Sequence, residues 1–164
     1  MKTTALFCVL TVAIAGMALA GFAATPLDQM LAQYYVIQKS LASDSINGVA
    51  ASAAEIIKIS KQSAAGPNKT QLAALSEAAS KLNGADLKSA RNGFGDLSDK
   101  LIAYIKASGT KTDPPYQFYC SMAKKNWLQP DKSTRNPYYG SEMPTCGEIV
   151  QFGKVSEQPM EHHH

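Results

Sequence analysis

Four sulfur-bearing side chains near the end of this 164-residue chain have types and spacing that could do chemistry. Cys120 and Met122 stand in "FYCSMAKKNW" (118–127), Met143 and Cys146 in "NPYYGSEMPTCGE" (136–148). Thiolate and thioether donors are soft and select copper(I) over calcium, magnesium or manganese. Met122 is two residues from Cys120, so an extended segment would project both side chains to one face. Met143 and Cys146 are three apart, which suits one helical turn or a tight loop around Pro144. Cys120, Met122, Met143 and Cys146 could therefore converge on one metal. The same two cysteines could instead pair with each other. A Cys120–Cys146 disulfide closes a loop of roughly 25 residues, worth about 3 to 3.5 kcal/mol in the chain-entropy account. On chemistry alone both outcomes stay open.

Compartment bears on that choice. "MKTTALFCVLTVAIAGMALA" combines a basic start at Lys2, an apolar run from Ala5 to Ala15 and small residues at Ala18 and Ala20. This is the three-part pattern of a secretory signal peptide over residues 1–20, with an apolar run too short to span a membrane. Cleavage is expected after Ala20, with Ala23 as the alternative, and Cys8 leaves with the signal. The expected location is periplasmic or secreted, where disulfides are favoured. The closing "EHHH" (161–164) reads as a tag remnant, so its histidines are set aside.

What must position the sulfurs is a single domain over 21–160. Composition changes near residue 107. From Ser108 onward come six of the eight prolines, the only tryptophan and four of the seven tyrosines. The expected fold is mainly α: an up-down antiparallel bundle of four helices over about 26–106, with a compact, loop-rich segment over about 107–155. Leu27, Met30, Leu31, Tyr34, Ile37 and Leu41 recur at helical spacing, with Thr25 as N-cap and Pro26 in the first position. Val49, Ala53, Ile56 and Ile57 mark a second helix starting near Ser45 or Asn47. Leu72, Leu75, Ala79 and Leu82 mark a third. Leu87, Ala90, Phe94, Leu97, Leu101 and Ile105 form the fourth, with Asp86 at its start and Gly93 and Gly95 inside it as points of close packing. Tyr34, Tyr35 and Tyr104 belong to the core or its edge. Trp127, Tyr138 and Tyr139 make a small core against the bundle, Arg135 and Glu148 form an ion pair, and Gly140 and Gly147 supply unusual backbone angles.

Enzyme signatures are missing. With the tag set aside there is no histidine for a serine–histidine or cysteine–histidine pair. No glycine-rich phosphate loop, dinucleotide fingerprint or C-x-x-C redox pair occurs. Lysines are scattered over a chain of formal charge +3, without the basic stripe and interleaved aromatics of a nucleic-acid groove. The chain reads as a non-enzyme without a nucleic-acid partner and without a membrane span once the signal is cleaved.

The tail also carries a resemblance. Tyr119, Cys120, Met122 and Ala123, then Trp127 and Leu128, then Asn136, Pro137, Tyr138, Tyr139 and Gly140, then Met143, Cys146 and Gly147 follow a recurring pattern. It resembles the C-terminal signature of a family of exported bacterial domains of unknown function, found alone or attached to adaptor subunits of copper/silver efflux systems. "ARNGFGDLSDKL" (90–101) is similar to that family's arginine–phenylalanine–serine helix. Two departures stand out: Ser121 replaces an expected proline, and the stretch between Ala123 and Trp127 is shorter. The resemblance implies heavy-metal handling outside the cytoplasm, chiefly of copper, with a metal-efflux adaptor or other envelope protein as partner. The expected function is copper(I) buffering or delivery through Cys120, Met122, Met143 and Cys146. The alternative is a disulfide-stapled helical interaction module of the cell envelope.

Overall fold

The computed structural model describes residues 24–110 and 115–152. The signal-peptide reading of 1–20, Cys8 and the tag remnant lie outside them. Four helices come first, α1 (Pro26–Ala42), α2 (Val49–Gln62), α3 (Lys69–Ser80) and α4 (Leu87–Ser108). Two strands, β1 (Tyr116–Cys120) and β2 (Lys125–Gln129), a 3₁₀ turn (Gly140–Glu142) and a third strand, β3 (Glu148–Val150), follow. The fold is mainly α with a loop-rich C-terminal segment, as the composition implied. Among the described residues no helix is long and apolar enough to cross a membrane.

Local chemistry sets the helix ends. Thr25 and Asp28 form a reciprocal capping box at α1, with Pro26 in the first turn. At α4 the Asp86 carboxylate accepts from the Ser89 N–H at 2.8 Å. The second helix begins later than Ser45 or Asn47. Ser45 Oγ accepts the Asn47 N–H instead, and Gly48, with φ 78°, turns the chain into Val49. Ile57 is only half-buried and Ile59 takes the buried place in that stripe.

The bundle and the tail share one core. Tyr34 on α1 is fully buried, and its hydroxyl meets Ser98 Oγ of α4 at 2.7 Å while accepting the Leu128 N–H of β2 at 3.0 Å. One phenol thus ties two helices to the sheet. Aromatic rings continue the link: Tyr34 stacks on Phe94 (centroids 5.0 Å apart), Phe94 meets Tyr138 (5.9 Å), Tyr138 stands edge-on to Trp127 (6.0 Å), and Trp127 stacks on Phe118 (5.0 Å). Each such pair adds about 0.5–1.5 kcal/mol beyond its buried area. Tyr104 is buried and Tyr35 half-buried at the core edge, where burial pushes the Tyr35 phenol up to about 12.

Two features of the tail differ from the sequence reading. The segment contains a three-stranded antiparallel sheet, in the order β2-β1-β3, within the loops. Arg135 pairs with Asp131 (2.5 Å) through an i,i+4 contact, while Glu148 is exposed on β3. The nearer carboxylate, four residues away on the same loop, needs no long-range geometry to reach the guanidinium.

Candidate functional site

The sheet is what brings the sulfurs together. Cys120 ends β1, opposite Lys125 in the β1–β2 register, and β3 pairs on the other edge of β1 with Tyr119 facing Glu148. Cys146 lies two residues before β3, so this second pairing carries it back beside Cys120. The two Sγ atoms stand 3.9 Å apart as free thiols, Cys120 fully buried and Cys146 half-buried.

Asn136 organises the pair. This buried side chain donates from Nδ2 to Cys120 Sγ (3.3 Å) and to the Cys146 carbonyl (2.6 Å). Its Oδ1 accepts the N–H groups of Tyr138 (2.8 Å) and Tyr139 (3.3 Å), and its own N–H donates to the Pro144 carbonyl (2.9 Å). Cys120 Sγ accepts a further N–H from Ala123 at 3.4 Å. N–H donors aimed at a sulfur stabilise negative charge on it, in a free thiolate or in a metal–thiolate bond. Burial raises the Cys146 thiol above its ordinary value, and the neighbouring Cys120 sulfur adds to the rise. Losing a second proton beside a first negative charge is harder. In the sequence Asn136 stood out only through the tail pattern and its place before Pro137, which marked a turn and gave no sign of contact with the sulfurs.

The two methionines are placed differently. Met143 is half-buried, and the loop between it and Cys146 closes through a Cys146 N–H bond to the Met143 carbonyl (3.2 Å), the tight turn around Pro144 that the spacing allowed. Met122 departs from the expectation. The strand ends at Cys120, residues 121–124 turn back toward β2, and Met122 is 59% exposed. The extended geometry that would have put Met122 and Cys120 on one face is therefore absent. The Lys124 backbone, at φ 54°, completes the reversal one step before Lys125 enters β2.

Both thiol chemistries fit the observed separation. With metal–thiolate bonds of about 2.3 Å, sulfurs 3.9 Å apart subtend roughly 116° at a metal, close to a trigonal angle. A disulfide needs the sulfurs at about 2.05 Å, an approach of about 1.9 Å. Among the described residues no group of three or more histidine, cysteine, aspartate or glutamate side chains could hold a metal. The sulfurs gathered here are the two thiols, with Met143 in the adjoining turn.

Comparison with family models, with curated proteins and with solved structures returns no match.

Proposed function

We propose that the chain is an exported, non-enzymatic protein whose Cys120–Cys146 dithiol binds copper(I) when reduced, for buffering or delivery to an efflux adaptor. The observation that carries this reading is the 3.9 Å sulfur pair, with two N–H donors on the Cys120 sulfur. Soft thiolates select a soft monovalent ion, and silver(I) shares that chemistry. Cys120 and Cys146 supply the thiolates and Met143 a thioether; Met122 has a lesser part because its side chain is largely in solvent. Binding displaces the thiol protons. The raised Cys146 thiol therefore makes affinity fall as pH falls.

Oxidation would switch the site off. In exchange with an oxidised dithiol of the export compartment, the two cysteines lose two protons and two electrons to form one S–S bond, and the oxidant becomes a dithiol. A disulfide has no thiolate to offer, so copper(I) leaves.

The exposed position of Met122 favours a second reading, a disulfide-stapled interaction module that never holds metal. One experiment separates the two. Chain exported and purified without reductant is assayed for free thiols and metal, then reduced and titrated with copper(I) against a chromophoric chelator. Stoichiometric copper(I) uptake by the reduced chain, lost in Cys120→Ser and Cys146→Ser, supports the metal site. A reduced chain that folds and takes up no copper(I) leaves the staple.

A further inference from the structure

Between the start of α4 and the β1–β2 turn lies a cleft of about 560 Å³. Lys88, Arg91 and Lys125 line it against one lining carboxylate, Glu142, and Tyr138 and Tyr139 add aromatic surface. Arg91 is held firmly. Its Nε donates to the Pro137 carbonyl (3.0 Å), and its Nη2 donates to the Leu41 carbonyl (3.1 Å) and to Asp44 Oδ1 (2.5 Å). These bonds use the Nε donor and both Nη2 donors, three of the five N–H groups of the guanidinium. Its Nη1 group, with two further N–H donors, has no hydrogen-bond partner among the described residues.

Lys125 reaches the cleft by a route that the sequence accommodates specifically. Its stem crosses α4 over Gly95, where an added Cβ would lie 2.6 Å from Lys125 Cδ and 2.7 Å from Nζ. Glycine inside a helix costs about 1 kcal/mol relative to alanine, so the gap is maintained against helix propensity. The ammonium donates to the Asn92 carbonyl (3.3 Å) and stands 5.9 Å from the Tyr138 ring centroid. Among the described residues neither Lys88 nor Lys125 has a carboxylate within ion-pair distance.

We propose that this cleft binds a small organic anion, its carboxylate or phosphate oxygens on Arg91 Nη1 between Lys88 and Lys125 and its body against Tyr138 and Tyr139. A guanidinium already fixed through Nε and Nη2 loses little freedom when its Nη1 group binds an oxyanion. The site stands apart from the copper reading, although Ala123 and Tyr139 line the cleft while the Ala123 N–H bonds Cys120 Sγ and the Tyr139 N–H bonds Asn136 Oδ1.

Calorimetric titration of the full chain with citrate and with inorganic phosphate tests it. Saturable one-site binding is expected, weakened about tenfold by Lys88→Met and by Lys125→Met, in keeping with loss of one charge-assisted contact. Methionine keeps the apolar stem, so the path over Gly95 stays filled and both variants fold, as thermal melts will register. Lys61→Met, on exposed α2 surface away from the cleft, should leave affinity unchanged. Tighter citrate than phosphate identifies a carboxylate ligand, and the reverse order a phosphate. Absence of saturable binding, or equal weakening by Lys61→Met, overturns the proposal.

Discussion

Asn136 and Cys120 meet in a buried N–H···S hydrogen bond of 3.3 Å, and the same amide nitrogen holds the Cys146 carbonyl at 2.6 Å. A single side chain therefore sets where both thiols sit. Asn136→Asp keeps the shape while removing both donations and placing an acceptor beside the sulfur. Stability is expected to fall by roughly 2–4 kcal/mol, the range for two buried hydrogen bonds with an acceptor left unsatisfied. Urea unfolding of Asn136→Asp beside the parent measures the loss, and an unchanged midpoint would mean that the two donations add nothing to the fold.

The placement of the methionines predicts an unequal contribution to metal binding. If the dithiol takes copper(I), Cys120→Ser should weaken it by at least about tenfold, an energy of about 1.4 kcal/mol. Met122→Leu should change affinity by less than about twofold, because a side chain 59% exposed supplies no enclosed donor. Met143→Leu should fall between them. Competition against a chromophoric copper(I) chelator reads all three, and a large loss in Met122→Leu would show that the β1–β2 turn rearranges around the ion.

At Gly147 the loop carrying Cys146 passes close against the core. Its φ is 150°, and an added Cβ would lie 2.2 Å from Trp127 Cη2, on an indole that is fully buried. A rigid ring stacked on Phe118 has little room to yield. Gly147→Ala should destabilise the fold by about 1–3 kcal/mol through overpacking. It should also separate the thiols, so that disulfide formation under a fixed glutathione ratio becomes less favourable. Urea unfolding and a thiol-redox titration measure the two effects.

The helices were legible in the sequence because their signals are local and repeated. Leu27 to Leu41 keep one face over four turns, Thr25 and Asp86 mark ends by the hydrogen bonds they accept, and Pro26 marks one by the N–H it lacks. The sheet was not. β1 and β2 are five residues each and β3 three, and Gln117, Asn126 and Gln129 are buried within them, so no alternation of apolar and polar residues announces a strand. The sulfur pair was readable as two cysteines, but which methionine accompanies them depends on where β1 stops. Asp44 and Arg91 gave no sign either, since they are 47 residues apart and only the folded bundle joins them.

That pair yields a prediction about acid. Asp44 closes the turn after α1 at φ 54°, accepts from Arg91 Nη2 of α4 at 2.5 Å, and accepts the Ser141 N–H of the 3₁₀ turn at 3.0 Å. It thus clasps α1, α4 and the tail together at the surface. The Ser141 hydrogen bonds foremost, and then Arg91, hold its carboxyl down to about 2. The unfolded chain titrates this group near about 3.9. A depressed folded value means the contribution is fully present above the unfolded value and is lost as pH falls through about 4 toward about 2. Asparagine tolerates the same left-handed backbone, so Asp44→Asn removes the charge without adding strain. The variant should be less stable than the parent at pH 7, and the gap should narrow steadily between about pH 4 and pH 2. Urea unfolding across that range, at fixed ionic strength, measures it. A gap that stays constant down to pH 2 would show that it does not come from the charge on Asp44.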